Sequence, residues 1–171
     1  MTPTISSGVD VFLVAALACA SVTDLRSRRI KNWLTYPAML VGLAANAVAG
    51  GWGGLGTSAT GLAAAIAIMI IPFAMRVMGA GDVKLMAAIG ALKGPHFLVL
   101  VVLYASVAGG LLALIYLMRE RRVGSTLRFI AYGWFDALRG NAPKAGAIPY
   151  APAIAAGVLL AMLPHALVSL S

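Results

Sequence analysis

Two aspartates in a chain that is otherwise poor in acids carry the first chemical suggestion. Asp82 stands in Met78-Gly79-Ala80-Gly81-Asp82-Val83-Lys84-Leu85, a glycine-rich turn that opens an apolar stretch. Asp24 closes an earlier apolar stretch, in Ser21-Val22-Thr23-Asp24-Leu25-Arg26. Ionisable groups at the edge of an apolar span are costly and mark functional sites. Two carboxylates from different helices at one depth suit acid–base hydrolysis of a peptide bond. Close carboxylates do not ionise together easily, so the pair shares a proton. The ionised member would take a proton from attacking water while the protonated member donates to the carbonyl oxygen. The glycines at 79 and 81 have no Cβ, which would let an extended peptide approach and Asp82 turn toward it.

Plainer readings stand beside this one. Aspartate is a favoured N-cap, and Asp82 could serve only to cap its helix. Asp24 sits near a helix C-terminus, where a carboxylate opposes the helix dipole; it could instead be a surface anion paired with Arg26, Arg28 or Arg29. The other three acids, Asp10, Glu120 and Asp136, read as solvated partners of nearby basic residues.

The elements that must position these acids follow from composition. Of 171 residues, 61% are hydrophobic and 11% charged, and the mean hydropathy is +0.95. Soluble domains carry about 25% charged residues, so the expected fold is all-α, a polytopic membrane protein forming a single membrane-embedded domain over residues 1–171. Six spans are expected, near 9–23, 34–49, 58–77, 82–92, 97–118 and 147–168. Residues 1–10 carry no basic cluster, so the first span is not expected to be a cleaved signal.

Trp33 and Trp52 bracket span two, about 28 Å apart at helical rise, as aromatic belts on two membrane faces would be. The uncharged stretch 50–57 reads as a tight turn. Pro72 is expected to kink span three, whose small residues favour close packing in lipid. Span four is about 16 Å long, too short to cross alone, and needs shelter from neighbours.

Charge sets the orientation. With six crossings, twelve of the thirteen Lys and Arg residues fall on one side and Lys93 on the other. The positive-inside rule then puts both termini outside and brings Asp24 and Asp82 together at the cytoplasmic edge. Five crossings, with span four re-entrant, is the second arrangement. Residues 127–138 place Leu127, Ile130, Trp134 and Leu138 at helical spacing, an amphipathic helix lying on anionic lipid or packed on the bundle. The net charge of +8 is spread through short loops between spans, which argues against nucleic-acid binding. One cysteine, Cys19, and two histidines on the outer side offer no metal site, and no cofactor is expected.

The motifs together resemble a known family. Gly79-x-Gly81-Asp82 with Val83-Lys84-Leu85 resembles the GxGD motif of membrane aspartic proteases. Combined with Thr23-Asp24-Leu25-Arg26, Ile30-x-Asn32-x-Leu34-Thr35 and Ile148-Pro149-Tyr150-Ala151-Pro152, the chain is similar to type IV prepilin peptidases, most of all the short TadV/CpaA form that serves Flp/Tad pili. The resemblance implies Asp24 and Asp82 as catalytic residues. It also implies cleavage after a glycine, between the basic leader and the hydrophobic helix of prepilin and pseudopilin precursors, at the cytoplasmic face of the bacterial inner membrane. Longer relatives carry a cysteine-pair zinc segment and also methylate the new N-terminus. Here only seven residues separate Asp24 from Asn32, so the expectation is a peptidase alone.

Gly79, Gly81, Lys84, Pro149 and Tyr150 are candidate site-shaping residues. Lys84 would steady charge or hold substrate, or else snorkel to the interface; Pro149 and Tyr150 would shape a groove, or else form the turn that opens a helix. The competing functions are a presenilin-like intramembrane protease and a small proton-coupled transporter or channel using the aspartates as a relay.

Overall fold

The computed structural model describes residues 7–27, 30–74, 78–119 and 150–170. They form four helices: α1 (Ser7–Ser27), α2 (Asn32–Ala74), α3 (Ala80–Arg119) and α4 (Ala151–Leu170). The first three are long and apolar enough to cross a membrane; the apolar stretch of α4, Ala151–Leu163, is shorter. Pro149 and the expected amphipathic helix at 127–138 lie outside the described residues.

With 43 and 40 residues, α2 and α3 would run about 65 and 60 Å if straight, twice a hydrocarbon layer. Neither is straight. Backbone geometry leaves the helix at Gly51 (φ 57°, ψ −139°) in α2 and at Gly94 (φ 79°, ψ 177°) in α3. A positive φ costs glycine little because it has no Cβ. The hydrogen bonds show that α2 folds back there. Asn46 Nδ2 donates to the carbonyls of Ala91 (3.0 Å) and Leu92 (3.2 Å), and Ser58 Oγ donates to the same Ala91 carbonyl. Along an unbroken helix Asn46 and Ser58 would stand about 18 Å apart, so they meet at one atom only through a reversal. Likewise Met86 and Val102, about 24 Å apart on a straight helix, line one cavity across the Gly94 break.

The two breaks are chemically linked. Pro95 has no N–H, which leaves the carbonyl of Ala91, four residues earlier, without its helical partner. The interruption at Gly94 disturbs the next carbonyl, that of Leu92. In lipid no water would replace these bonds. Asn46 and Ser58, one from each limb of α2, supply the missing donors. Two polar side chains in an apolar hairpin thus complete a helix that they do not belong to.

The stretches expected as spans two and three thus fall on the two limbs of α2, and those expected as spans four and five on the two limbs of α3. One detail differs from expectation. The turn in α2 is Gly51 alone, with helix resuming at Trp52, because one glycine suffices for the reversal. Helical backbone continues past Pro72 to Ala74.

The first limb of α3 is the core. Residues 85–92 are buried without exception. Glycine lets its neighbours reach it: a Cβ on Gly42 would stand 2.7 Å from the backbone of Ala91, and one on Gly61 would collide with the Gly90 carbonyl. Gly157 of α4 makes the same approach to Ala105, where a Cβ would meet the backbone nitrogen at 2.7 Å. Lipid is as apolar as leucine, so this close backbone packing and the interhelical hydrogen bonds supply the cohesion. Leu13, Leu17 and Ala20 of α1 pack inward, while Val11, Val22 and Leu25 face out. Trp33 and Trp52 are both exposed. An exterior this apolar suits lipid.

The limb 80–93 runs antiparallel to α1. Lys93 forms an ion pair with Asp10 at one end, and Asp82 approaches Asp24 at the other. The limb is about 21 Å long, short of a full crossing, and its neighbours enclose it.

Candidate active site

Helix α3 begins at Ala80, which makes Gly79 its cap and Asp82 its third residue. The Asp82 N–H donates to the Gly79 carbonyl (3.1 Å), and the Gly79 N–H donates back to Asp82 Oδ2 (3.0 Å). This is the return half of a capping box, in which the third side chain reaches back to the cap residue's N–H. Asp82 is thus not the cap residue itself. The carboxylate is held through its Oδ2.

The flanking glycines are explained locally. A Cβ on Gly79 would press on Asp82 Oδ2 at 3.4 Å, and one on Gly81 would meet Ile30 Cβ at 2.9 Å. Gly81 therefore admits the α1–α2 connection against the start of α3, a role its expected exposure to a peptide did not include.

Asp24 is buried near the end of α1. Its Oδ2 accepts the N–H of Ala151 at 3.1 Å, the first residue of α4. A carboxylate misplaced with respect to its own helix dipole is thereby set against the positive end of another helix. The two acids lie close enough for their charges to interact. Each is only slightly exposed, 6% for Asp24 and 8% for Asp82, and each is anchored by one backbone N–H at the start of a helix.

A sequence profile of the type IV leader peptidase family matches residues 11–114, which include both acids and the glycine-rich turn. The chain belongs to that family. No curated protein and no solved structure matches it.

In this leader peptidase the remaining candidate residues divide. Tyr150 directly precedes Ala151, the residue whose N–H holds Asp24: it caps α4, its carbonyl accepting the Ile154 N–H (3.0 Å), and its ring lies 3.6 Å from where a Cβ of Gly109 would be. Lys84 stands apart from the acids. Its Nζ donates to Asn32 Oδ1 (2.9 Å) and lies 5.1 Å from the centre of the Tyr36 ring. It ties the start of α3 to the start of α2, an interface anchor in contact with neither aspartate.

Sequence reasoning did not single out Ile30, Asn46, Ser58 or Ala151. The Ala151 contribution is a backbone N–H and leaves no side-chain signature. Asn46 and Ser58 could have been found as polar residues inside apolar spans, which need partners.

Proposed function

We propose that this leader peptidase is an aspartic endopeptidase in which Asp24 and Asp82 form the catalytic pair. Membership of the family implies peptidase activity and pilin-type precursors as its substrates in general. The reading is carried by one observation: α1 and α3 bring the acids to one edge, where separate helix N-termini hold them.

The mechanism is that of a shared proton. The pair holds one proton between its carboxylates. The ionised member removes a proton from water as the oxygen attacks the scissile carbonyl carbon, while the protonated member donates to the carbonyl oxygen. Collapse of the tetrahedral species breaks the C–N bond. The amine leaves with a proton from the pair, a hydroxyl of the collapsing diol returns one proton to the pair, and the starting state is restored. Among the described residues, backbone N–H groups fix the geometry, so either carboxylate can change protonation with little rearrangement. The titration belongs to the pair.

The finer reading places the cut after a glycine, between a basic leader and an apolar helix, at the cytoplasmic face of the bacterial inner membrane. It comprises a single domain over 1–171, six crossings with both termini outside, no methylation of the product and basic loops directed to anionic lipid.

Coexpression with a pilin precursor of the Flp/Tad type tests this. Asp24→Asn and Asp82→Asn should each abolish the mobility shift of the precursor, a loss on the order of 10²–10⁴-fold, with membrane insertion unchanged. Normal processing by both variants would remove the proposal.

A further inference from the structure

The start of α3 is set against the chain that leaves α1. The Gly79 N–H fixes Asp82 within its own turn, but that bond does not set where the turn sits relative to Asp24. Helix α1 carries Asp24 and ends at Ser27. Ile30 follows, and it lies directly against Gly81, the residue before Asp82. A Cβ on Gly81 would stand 2.9 Å from the Ile30 Cβ and 3.4 Å from the Ile30 backbone nitrogen. Carbon atoms settle at roughly 3.5–4.0 Å from one another, so only a bare glycine admits this approach. A second tie lies close by, the hydrogen bond from Lys84 Nζ to Asn32 Oδ1 (2.9 Å). The two contacts bracket Asp82 along α3.

The ties differ in stiffness. A lysine head on its flexible four-carbon stem can follow small shifts of either helix. The Ile30 Cβ is bonded directly to the backbone, so no change of rotamer moves it. An atom added at Gly81 has to push either the turn before Asp82 or the connection after α1. From 2.9 Å to ordinary contact the displacement is roughly 0.6–1 Å. A misplacement of about 1 Å can cost on the order of 10²-fold in rate.

We propose that Ile30 is a positioning residue: its contact with Gly81 sets the spacing between the Asp82 turn and α1, and through it the spacing of the two acids. This rests on the aspartic-peptidase reading. Gly81 is then bare in order to receive Ile30, and its importance to cleavage comes from the neighbour behind it.

The test uses the full-length protein in membranes with a pilin precursor of the Flp/Tad type. Gly81→Ala should lower kcat by roughly 10–100-fold and leave KM within about twofold, the pattern of lost transition-state geometry and not of lost binding. Ile30→Ala keeps both atoms that residue 81 would meet most closely, so Ile30→Ala/Gly81→Ala should stay as slow as Gly81→Ala. Ile30→Gly removes that Cβ, and Ile30→Gly/Gly81→Ala should regain kcat by roughly tenfold over Gly81→Ala. With Gly81 retained, Ile30→Gly should lower kcat more than Ile30→Ala does. Gly56→Ala, on the exposed part of α2 where a Cβ meets nothing within 4 Å, should match wild type. Thermal unfolding in detergent separates damage to the fold from misplacement: kcat should fall in protein that is inserted and still folded at the assay temperature.

A rise in KM with kcat kept, unrelieved by Ile30→Gly, would mean that Gly81 makes room for substrate and would overturn the proposal. Equal recovery from both changes at Ile30, or none from Ile30→Gly, would overturn it as well. If Gly81→Ala does not insert, the single variants at Ile30 decide, and equal kcat for Ile30→Ala and Ile30→Gly refutes it. In each of these cases inactive Asp24→Asn and Asp82→Asn leave the peptidase reading standing. Cleavage by both aspartate variants would end the two together.

Discussion

Helix α1 and the first limb of α3 meet at both ends, and the two ends handle charge in opposite ways. At the Gly94 end Lys93 pairs with Asp10, and the ammonium also lies 5.3 Å from the Phe97 ring centre. At the Gly79 end two acids approach each other, each restrained by a backbone N–H. An ion pair binds its carboxylate to the charged state. A helix N-terminus offers partial positive charge and a fixed donor, so it orients a carboxylate without requiring that it stay ionised. The first arrangement holds two helices together; the second is suited to moving protons.

The comparison breaks most sharply if acids at the two ends are lengthened without loss of charge. Asp82→Glu and Asp24→Glu each add a methylene between backbone and carboxylate, which moves the oxygens off their anchors at Gly79 and Ala151. A misplacement of about 1 Å can cost on the order of 10²-fold in rate. That loss is expected in leader cleavage for both variants. Asp10→Glu should stay within about twofold, because its side chain is 41% exposed and has room to adjust toward Lys93. Equal effects at the two ends would show that the acid site is no more demanding than the ion pair.

A second contrast sets the two interruptions of helical hydrogen bonding around α3 against each other. The start at Gly79 is satisfied locally by Asp82, while the break at Gly94 depends on Asn46 and Ser58 from another helix. Asn46→Leu and Ser58→Ala each leave buried carbonyl oxygen short of donors, at about 1–3 kcal/mol. Thermal unfolding in detergent should show that loss, larger for Asn46→Leu because Asn46 serves both Ala91 and Leu92. Unchanged stability would mean that the freed carbonyls find other donors.

These contrasts also show what a sequence reveals of such a protein. Asp24 and Asp82 stood out because acids are scarce in an apolar chain, and the long helices followed from hydropathy. Trp33 and Trp52 marked the limits of the first α2 limb. What stayed hidden is non-local or belongs to the backbone. Eight glycine-rich positions looked alike as a turn, but only the packing of Asn46 and Ser58 on one carbonyl places the reversal at Gly51. The neighbour that a Cβ on Gly81 would meet, Ile30, comes from the connection between α1 and α2 and has no signature in the glycine-rich motif. The anchor of Asp24 is an amide 127 positions away in the chain, and an amide is present at almost every residue.

The ion pair gives a smaller, asymmetric prediction. The Lys93 side chain is 9% exposed and that of Asp10 is 41%. Asp10→Asn strands a buried ammonium, whereas Lys93→Met strands a carboxylate that can reach water. Asp10→Asn should therefore be the more destabilising, falling between the ~0–1 kcal/mol of surface pairs and the ~3–5 kcal/mol of fully buried ones. The double variant Asp10→Asn/Lys93→Met should recover part of that loss in the same unfolding measurement. Additive effects would mean that the charges do not interact.

The smallest effect is expected at Lys84, which brings the comparison back to the acid end. It lies two residues after Asp82, yet it reaches away to Asn32 and Tyr36. Lys84→Met removes one hydrogen bond worth about 0.5–1.5 kcal/mol and a cation–π contact worth about 0.5–1 kcal/mol, and leaves the Gly79 and Ala151 anchors in place. Cleavage should fall by only a few fold, with Lys84→Arg restoring part of it through the Tyr36 contact. A loss as complete as that of Asp82→Asn would place the ammonium in the reacting centre. The two ends of the α1–α3 pair would then share one logic, a lysine holding an aspartate, and the proton chemistry assigned to acids anchored by backbone N–H groups would have to be rebuilt around a cation.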